Sequence, residues 1–241
     1  MKFVTLIFGR LKVRFASLLG KASLTLCLDI FFPRSCLGCG RDGTHICARC
    51  EESLIYPAHQ NSLSTPFIDK VFIACEYRSQ NLIGKLIKRI KYKFSEELAE
   101  VLARTVLKNM GSAIDWKSVK ILIPVPLSND RLKWRGFNQA ELISEKIARM
   151  LSEEGYKVKV DASYLKKVKS TTAQAACKSR YERLQNVRMA FAIDHRIHPP
   201  KNVFLFDDVY TTGTTLNECA KILKGSGVKK VFGLVIAKKT V

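Results

Sequence analysis

Two adjacent acids, Asp207 and Asp208, close the apolar run Val203-Phe204-Leu205-Phe206, and Thr211, Thr212, Gly213, Thr214 and Thr215 follow almost at once. An apolar run without alternation reads as a parallel strand covered on both faces. The acids then emerge at its carboxyl end, where open α/β sheets bind ligands. The threonines and glycine precede a helical pattern from about Thr214 to Lys224. Free backbone N–H groups and the dipole at a helix start attract an anion. Gly213 lets the backbone approach that anion closely, where a Cβ would intrude. Acids beside an anion cradle make sense only if the ligand also presents hydroxyls or a metal. A ribose phosphate does both.

A second set of chemical residues lies near the N-terminus. Cys36-Leu37-Gly38-Cys39 and Cys47-Ala48-Arg49-Cys50 are two C-x-x-C knuckles. Two such knuckles complete a tetrahedral site for one Zn²⁺, and four protein thiolates leave no open position, so the metal is structural. His45 is a weaker substitute for one cysteine. The segment from Gly38 to Gly43 also spells G-x-G-x-x-G, but that dinucleotide fingerprint works only between a strand and a helix, and here it is set among metal ligands. The remaining cysteines, Cys27, Cys75, Cys177 and Cys219, are scattered among apolar or helical neighbours. This is a cytoplasmic pattern of metal ligands plus buried thiols, not a disulfide framework.

The elements that must hold these residues follow from periodicity. Val71–Tyr77 reads as a first strand; Leu82, Ile83, Leu86, Ile87 and Ile90 recur at helical spacing. Ser95 caps a second helix, with Leu98, Val101, Leu102 and Val106 on one face. Val119–Val125 is a short apolar strand, a loop carries Arg131 and Arg135, and Asn138 caps the next helix with Glu141 in capping-box position. A final strand runs from Val228 to Ala237. Strands alternating with helices predict an α/β domain over residues 67–241 with a mostly parallel sheet flanked by helices. A four-cysteine zinc module over 33–56 and an amphipathic N-terminal helix over 1–32 precede it, with a polar linker from Pro57 to Pro66. The N-terminal apolar run is broken by Arg10, Lys12 and Arg14, and Ala22–Phe32 falls short of the ~20 residues that span a bilayer. The expected roles of that helix are packing on the body, docking on a partner or peripheral membrane contact, with no transmembrane segment.

Charge narrows the partners. In 241 residues, 41 Lys and Arg face 21 Asp and Glu, a net +20, while 47% hydrophobic and 26% charged residues are ordinary for a globular protein. Disorder, collagen and coiled coil are excluded, and polyanions are favoured: nucleic acid, an anionic membrane or a phosphorylated small molecule.

The segment from Val203 to Thr215 resembles the phosphoribosyl pyrophosphate (PRPP) motif of type I phosphoribosyltransferases, a hydrophobic strand leading to Asp-Asp and Thr-Thr-Gly-x-Thr. The resemblance implies that Asp207 and Asp208 bind the ribose hydroxyls and that Thr211, Thr212, Gly213, Thr214 and Thr215 hold the 5′-phosphate, with Mg²⁺ accompanying PRPP. Ile123–Ser128, Arg131, Lys133 and Arg135–Ala140 resemble the ComF family of competence proteins, as do Ile87–Tyr92 and Phe32–Ser35 with the cysteines behind them. The match covers nearly the whole chain and joins a zinc module to a phosphoribosyltransferase-like domain in the family's order. Arg131 and Arg135, beside the same sheet edge as Asp207, suit a pyrophosphate, with Lys91 as a third cation. Residues 157–188, nine basic side chains against two acids, resemble the loop that closes over PRPP, with Thr171, Thr172, Gln174, Arg183 and Asn186 near recurring positions.

Two functions are expected. By resemblance, the first is PRPP binding combined with a cytoplasmic role in natural transformation, handling incoming single-stranded DNA beside a competence helicase or recombination proteins. Tyr92, Phe94, Trp134 and Phe137 lie among Lys and Arg and have the chemistry either to stack on bases or to pack in the core. The second is an active phosphoribosyltransferase of nucleotide or related metabolism. No segment specifies its acceptor or a general base.

Overall fold

The computed structural model describes residues 34–55, 63–168, 191–194 and 200–239. The N-terminal helix expected over 1–32, most of the linker, Cys27, Cys177 and residues 169–188 of the basic segment lie outside this set. The chain divides into two compact units, residues 1–50 and 51–241.

In the first unit, a bridge between Ser35 and Asp42 and the bonds Gly40 N–H to Cys36 O and Cys36 N–H to Arg41 O fold the first knuckle back on itself. Gly40 and Gly43 have φ of 78° and 95°, values that a side chain would resist. A short helix α1 (Ala48–Glu52) starts inside the second knuckle.

The second unit is built on five parallel strands: β1 (Lys70–Tyr77), β2 (Ile121–Pro124), β3 (Lys159–Val160), β6 (Asn202–Tyr210) and β7 (Lys230–Lys239). Their order is β1-β7-β6-β2-β3, and every neighbouring pair is parallel. The expected parallel α/β sheet is therefore present. Between β1 and β2 the chain forms α2 (Leu82–Tyr92) and α3 (Glu96–Met110). Asn81 caps α2 by accepting from the Gly84 N–H, and Ser95 caps α3 by accepting from the Leu98 N–H, the latter as the sequence predicts. The α2 positions Ile83, Leu86, Ile87 and Ile90 are all buried, each worth roughly 1.5–3 kcal/mol of apolar burial. Lys146 and Arg149 of α5 (Gln139–Glu153) pair with Glu96 and Glu100, tying α3 to α5.

On the other face, α6 (Thr214–Gly225) buries Leu216, Cys219, Ala220 and Leu223 against Val203, Leu205, Val231 and Val235. A small antiparallel pair, β4 (Leu165–Lys167) and β5 (Phe191–Ile193), joins this cluster through Leu165 and Phe191. Alternate β6 residues serve the opposite face, where Phe204 stacks between Phe72 and Phe232 at 5.8 and 4.9 Å. Cys75 and Cys219 are buried thiols, as expected; burial pushes Cys75 up to about 12 and Cys219 up as well.

One expectation is corrected. Arg131 and Arg135 do not sit on a loop: Asn129–Arg135 forms a further helix, α4. Ser128 caps it by accepting from the Arg131 N–H, and Gly136 ends it with φ 83°. These start and stop signals lie in the sequence, but the helix is too short to show an apolar period. No helix among the described residues is long and apolar enough to cross a membrane.

Candidate functional site

The crevice exists because neighbouring strands end at different heights. β2 stops at Pro124, and the Val125 N–H makes its last bond, to the Phe206 carbonyl at 2.9 Å. β6 runs on to Tyr210, still paired with β7 through Asp207↔Val235, Val209↔Ala237 and Tyr210↔Lys238. Asp207 and Asp208 thus lie inside β6, three residues short of its end or less, at a level where β2 has already turned away. From β2 the chain moves through α4 and α5 to β3, on one side of the sheet order; from β6 it moves through α6 to β7, on the other. Such a divergence is a topological switch point, and it opens a crevice at the carboxyl ends of the strands.

Neighbouring residues on a strand face opposite ways, and the two carboxylates are divided accordingly. Asp208 is 5% exposed and turns toward α2 and α5. Its Oδ2 accepts from Gln139 Nε2 at 2.8 Å and lies 3.0 Å from Lys91 Nζ. Gln139 in turn accepts at Oε1 from Arg135 Nη1. Lys91, Asp208, Gln139 and Arg135 therefore form one polar chain from α2 to α4. Burial lowers the pKa of Arg135 against the opposing pull of Asp208, and among the described residues its buried Nε finds no hydrogen-bond partner. Asp207 accepts at Oδ1 from the Asp208 N–H at 2.8 Å. Burial, then the Asp208 charge, push its carboxyl up to about 7, although Lys91 and Lys167 pull the other way.

These groups line a cavity of about 420 Å³. Among the described residues, two acids, Asp207 and Asp208, face five bases there: Lys91, Arg131, Arg135, Lys167 and Lys239. The four-residue spacing of Arg131 and Arg135 on α4 places both on one face. Thr211 and Thr215 also line the cavity, while the Thr212 and Thr214 hydroxyls lie 2.8 Å apart at the α6 start. Gly213, with φ 73°, is the N-cap of α6, and a Cβ there would collide with the Tyr210 hydroxyl and ring. The structure thus gathers Lys91, Arg131, Arg135, Asp207, Asp208, Thr211 and Thr215 around one space. Gln139, Lys167 and Lys239 were missed as cavity residues. A glutamine at a helix start and lysines at strand ends carry no signal until the strands are ordered.

In the first unit, the sulfurs of Cys36, Cys39, Cys47 and Cys50 lie within 4.8 Å of one another. Zn–S bonds of about 2.3 Å at tetrahedral angles require S···S separations of about 3.8 Å; Cys36 to Cys47 is 3.8 Å and Cys39 to Cys47 is 3.7 Å. Burial opposes ionisation of Cys36, but N–H groups of Cys39, Cys47 and Gly38 outweigh it and bring the thiol down to about 6. The four residues fit a zinc ion, and His45 is outside the cluster.

Fold and site together define a parallel α/β protein with a charged crevice at its switch point and a four-cysteine unit before it in the chain. The chain belongs to the ComF family of competence proteins. It is 33% identical over 214 residues to Competence protein F of Haemophilus influenzae, covering 84% of this chain and 90% of that one. It is also 33% identical to Competence protein ComFC of Streptococcus pneumoniae over 60% of each chain. To DNA utilization protein YhgH of Escherichia coli O157:H7 it is 27% identical, over 81% of this chain and 80% of that one. No family model matches the sequence. Among solved structures, it is similar to a hypoxanthine phosphoribosyltransferase from Staphylococcus aureus, with a TM-score of 0.36 and 12% identity over 58% of this chain and 74% of that one.

Proposed function

We propose that the domain over residues 67–241 binds PRPP with Mg²⁺ in the switch-point cavity, and that the protein handles incoming single-stranded DNA in the cytoplasm during natural transformation. The observation that carries the ligand reading is the make-up of the cavity: five basic side chains and a threonine-rich helix start around two strand-end acids. A pyrophosphate meets Arg131, Arg135 and Lys91, and the orphaned Nε of Arg135 gains the acceptor it lacks. The 5′-phosphate meets the N–H groups of Thr211, Thr212, Gly213, Thr214 and Thr215. Asp207 and Asp208 accept from ribose hydroxyls, and Mg²⁺ would neutralise charge on the pyrophosphate. Zn²⁺ on Cys36, Cys39, Cys47 and Cys50 folds the segment from residue 34 to residue 50.

The DNA reading is supported by the net charge of +20, far more than one small anion requires, and by relatives named for competence and DNA utilization. Both parts are tested on the full chain. Mg²⁺–PRPP raises the melting temperature, and Asp207→Ala with Asp208→Ala abolishes the shift; no shift in the wild type overturns the ligand reading. Oligo(dT) binds with an affinity that falls as salt rises, because phosphate contacts release counterions. Affinity indifferent to salt overturns the DNA reading.

A further inference from the structure

Six large hydrophobic side chains are exposed among the described residues, and four of them fall in two short segments: Tyr92 and Phe94 at the end of α2 and just beyond it, Leu132 and Trp134 on α4. Tyr92 is 65% exposed, Phe94 55% and Trp134 69%. Apolar side chains scattered singly over a surface need no explanation, but clustered ones mark an interaction site. These are clustered. Tyr92 and Trp134 meet edge to face with ring centroids 5.7 Å apart, and Phe94 and Phe137 do the same at 5.3 Å. In an edge-to-face pair, the ring that contributes its edge keeps both of its own faces clear of its partner. Sequence alone left these aromatics divided between core packing and stacking; the exposure of Tyr92, Phe94 and Trp134 decides against the core.

The same surface is cationic. Arg89 and Lys93 flank Tyr92, Lys133 precedes Trp134, and all three are exposed. The ledge also continues into the cavity: Arg131, one turn before Trp134, lines it, and the Tyr92 side chain is close enough to Arg135 to influence its ionisation. Aromatic faces interleaved with cations fit a polyanion whose bases are unstacked and free to stack on them, as in a single strand.

We propose that Tyr92, Phe94 and Trp134 form a base-stacking ledge for single-stranded DNA, with its phosphates on Arg89, Lys93 and Lys133. This rests on the DNA-handling reading above and gives it a surface. The test uses the intact protein and two probes of equal length and charge, oligo(dT) and the corresponding abasic strand. Oligo(dT) binds more tightly and quenches the exposed Trp134, whereas Trp116, buried at 5% exposure, does not report. Tyr92→Ala with Trp134→Ala weakens oligo(dT) binding about tenfold or more, because two stacking platforms are lost. It leaves the abasic strand and the melting temperature nearly unchanged. Equal binding of the two probes, or oligo(dT) binding that ignores the double variant, overturns the ledge while leaving the DNA reading intact. Failure of the wild type to bind either probe overturns both. Ledge-dependent self-association in place of strand binding also overturns the proposal.

Discussion

Lys91 Nζ lies 3.0 Å from Asp208 Oδ2, so the last turn of α2 holds the acid near the end of β6. The pair is mostly removed from water, with Lys91 and Asp208 side chains 28% and 7% exposed. Coulomb attraction is strong there, but so is the cost of leaving either charge alone.

Lys91→Met is therefore expected to lower stability by about 2 kcal/mol, because among the described residues Asp208 then keeps only its bond from Gln139. Lys91→Met with Asp208→Asn recovers much of the loss, since no unpaired charge remains. Urea unfolding of the two single variants and the double variant measures the coupling. Strict additivity would show that the pair contributes nothing.

Gly213 is the next position where geometry leaves no latitude. With φ 73° and Tyr210 packed where a Cβ would go, Gly213→Ala is expected to cost about 2 kcal/mol or more. Gly213→Ala with Tyr210→Leu relieves the collision but not the backbone strain. The double variant should thus be less destabilised than expected from adding the singles, which thermal unfolding will show.

Asp207 gives the site a pH dependence. Its folded carboxyl, pushed up to about 7, holds a proton that the unfolded chain releases near 4. The folded state binds more protons in that window, so this group makes stability fall as pH rises from about 4 to about 7 and level off above. Asp207→Asn removes that slope. A ligand hydroxyl donates more strongly to the ionised carboxylate than to the neutral acid, so Mg²⁺–PRPP binding should tighten between about pH 6 and about pH 8 in the wild type. Calorimetry at those two values shows the trend, and Asp207→Asn should flatten it.

Zinc content should be close to one ion per chain, and a strong chelator should unfold the 34–50 segment while leaving the parallel sheet intact. Cys36→Ser should do the same without chelator, since three thiolates hold the metal less well. Metal analysis with far-UV circular dichroism follows both. Retention of the full native signal after complete zinc loss would contradict a folding role for the metal.

Much of this was legible in the chain itself. The apolar run from Val203 to Phe206 declared a parallel strand, because burial on both faces removes polar alternation. Ser95 and Asn138 declared helix starts, because their side chains accept from the N–H groups of Leu98 and Ala140. The cysteine knuckles declared their site for the same local reason: ligand spacing within a turn is fixed by a few residues. α4 escaped, because two helical turns generate no period to read.

Candidates for chemistry could be read from chain order alone, since Asp-Asp, Thr-Thr-Gly-Thr-Thr and two C-x-x-C knuckles are each encoded in one short segment. What those segments share came from packing in three dimensions. Strand order put β6 beside β2 and ended β2 first, opening the crevice; pleating sent Asp207 and Asp208 to opposite faces. Packing brought Lys91 and Gln139, distant in the chain, onto one oxygen of Asp208 and left Trp134 in water. Local chemistry is written in neighbouring residues. Proximity across the chain appears only when the apolar faces of strands and helices find the one arrangement that buries them together.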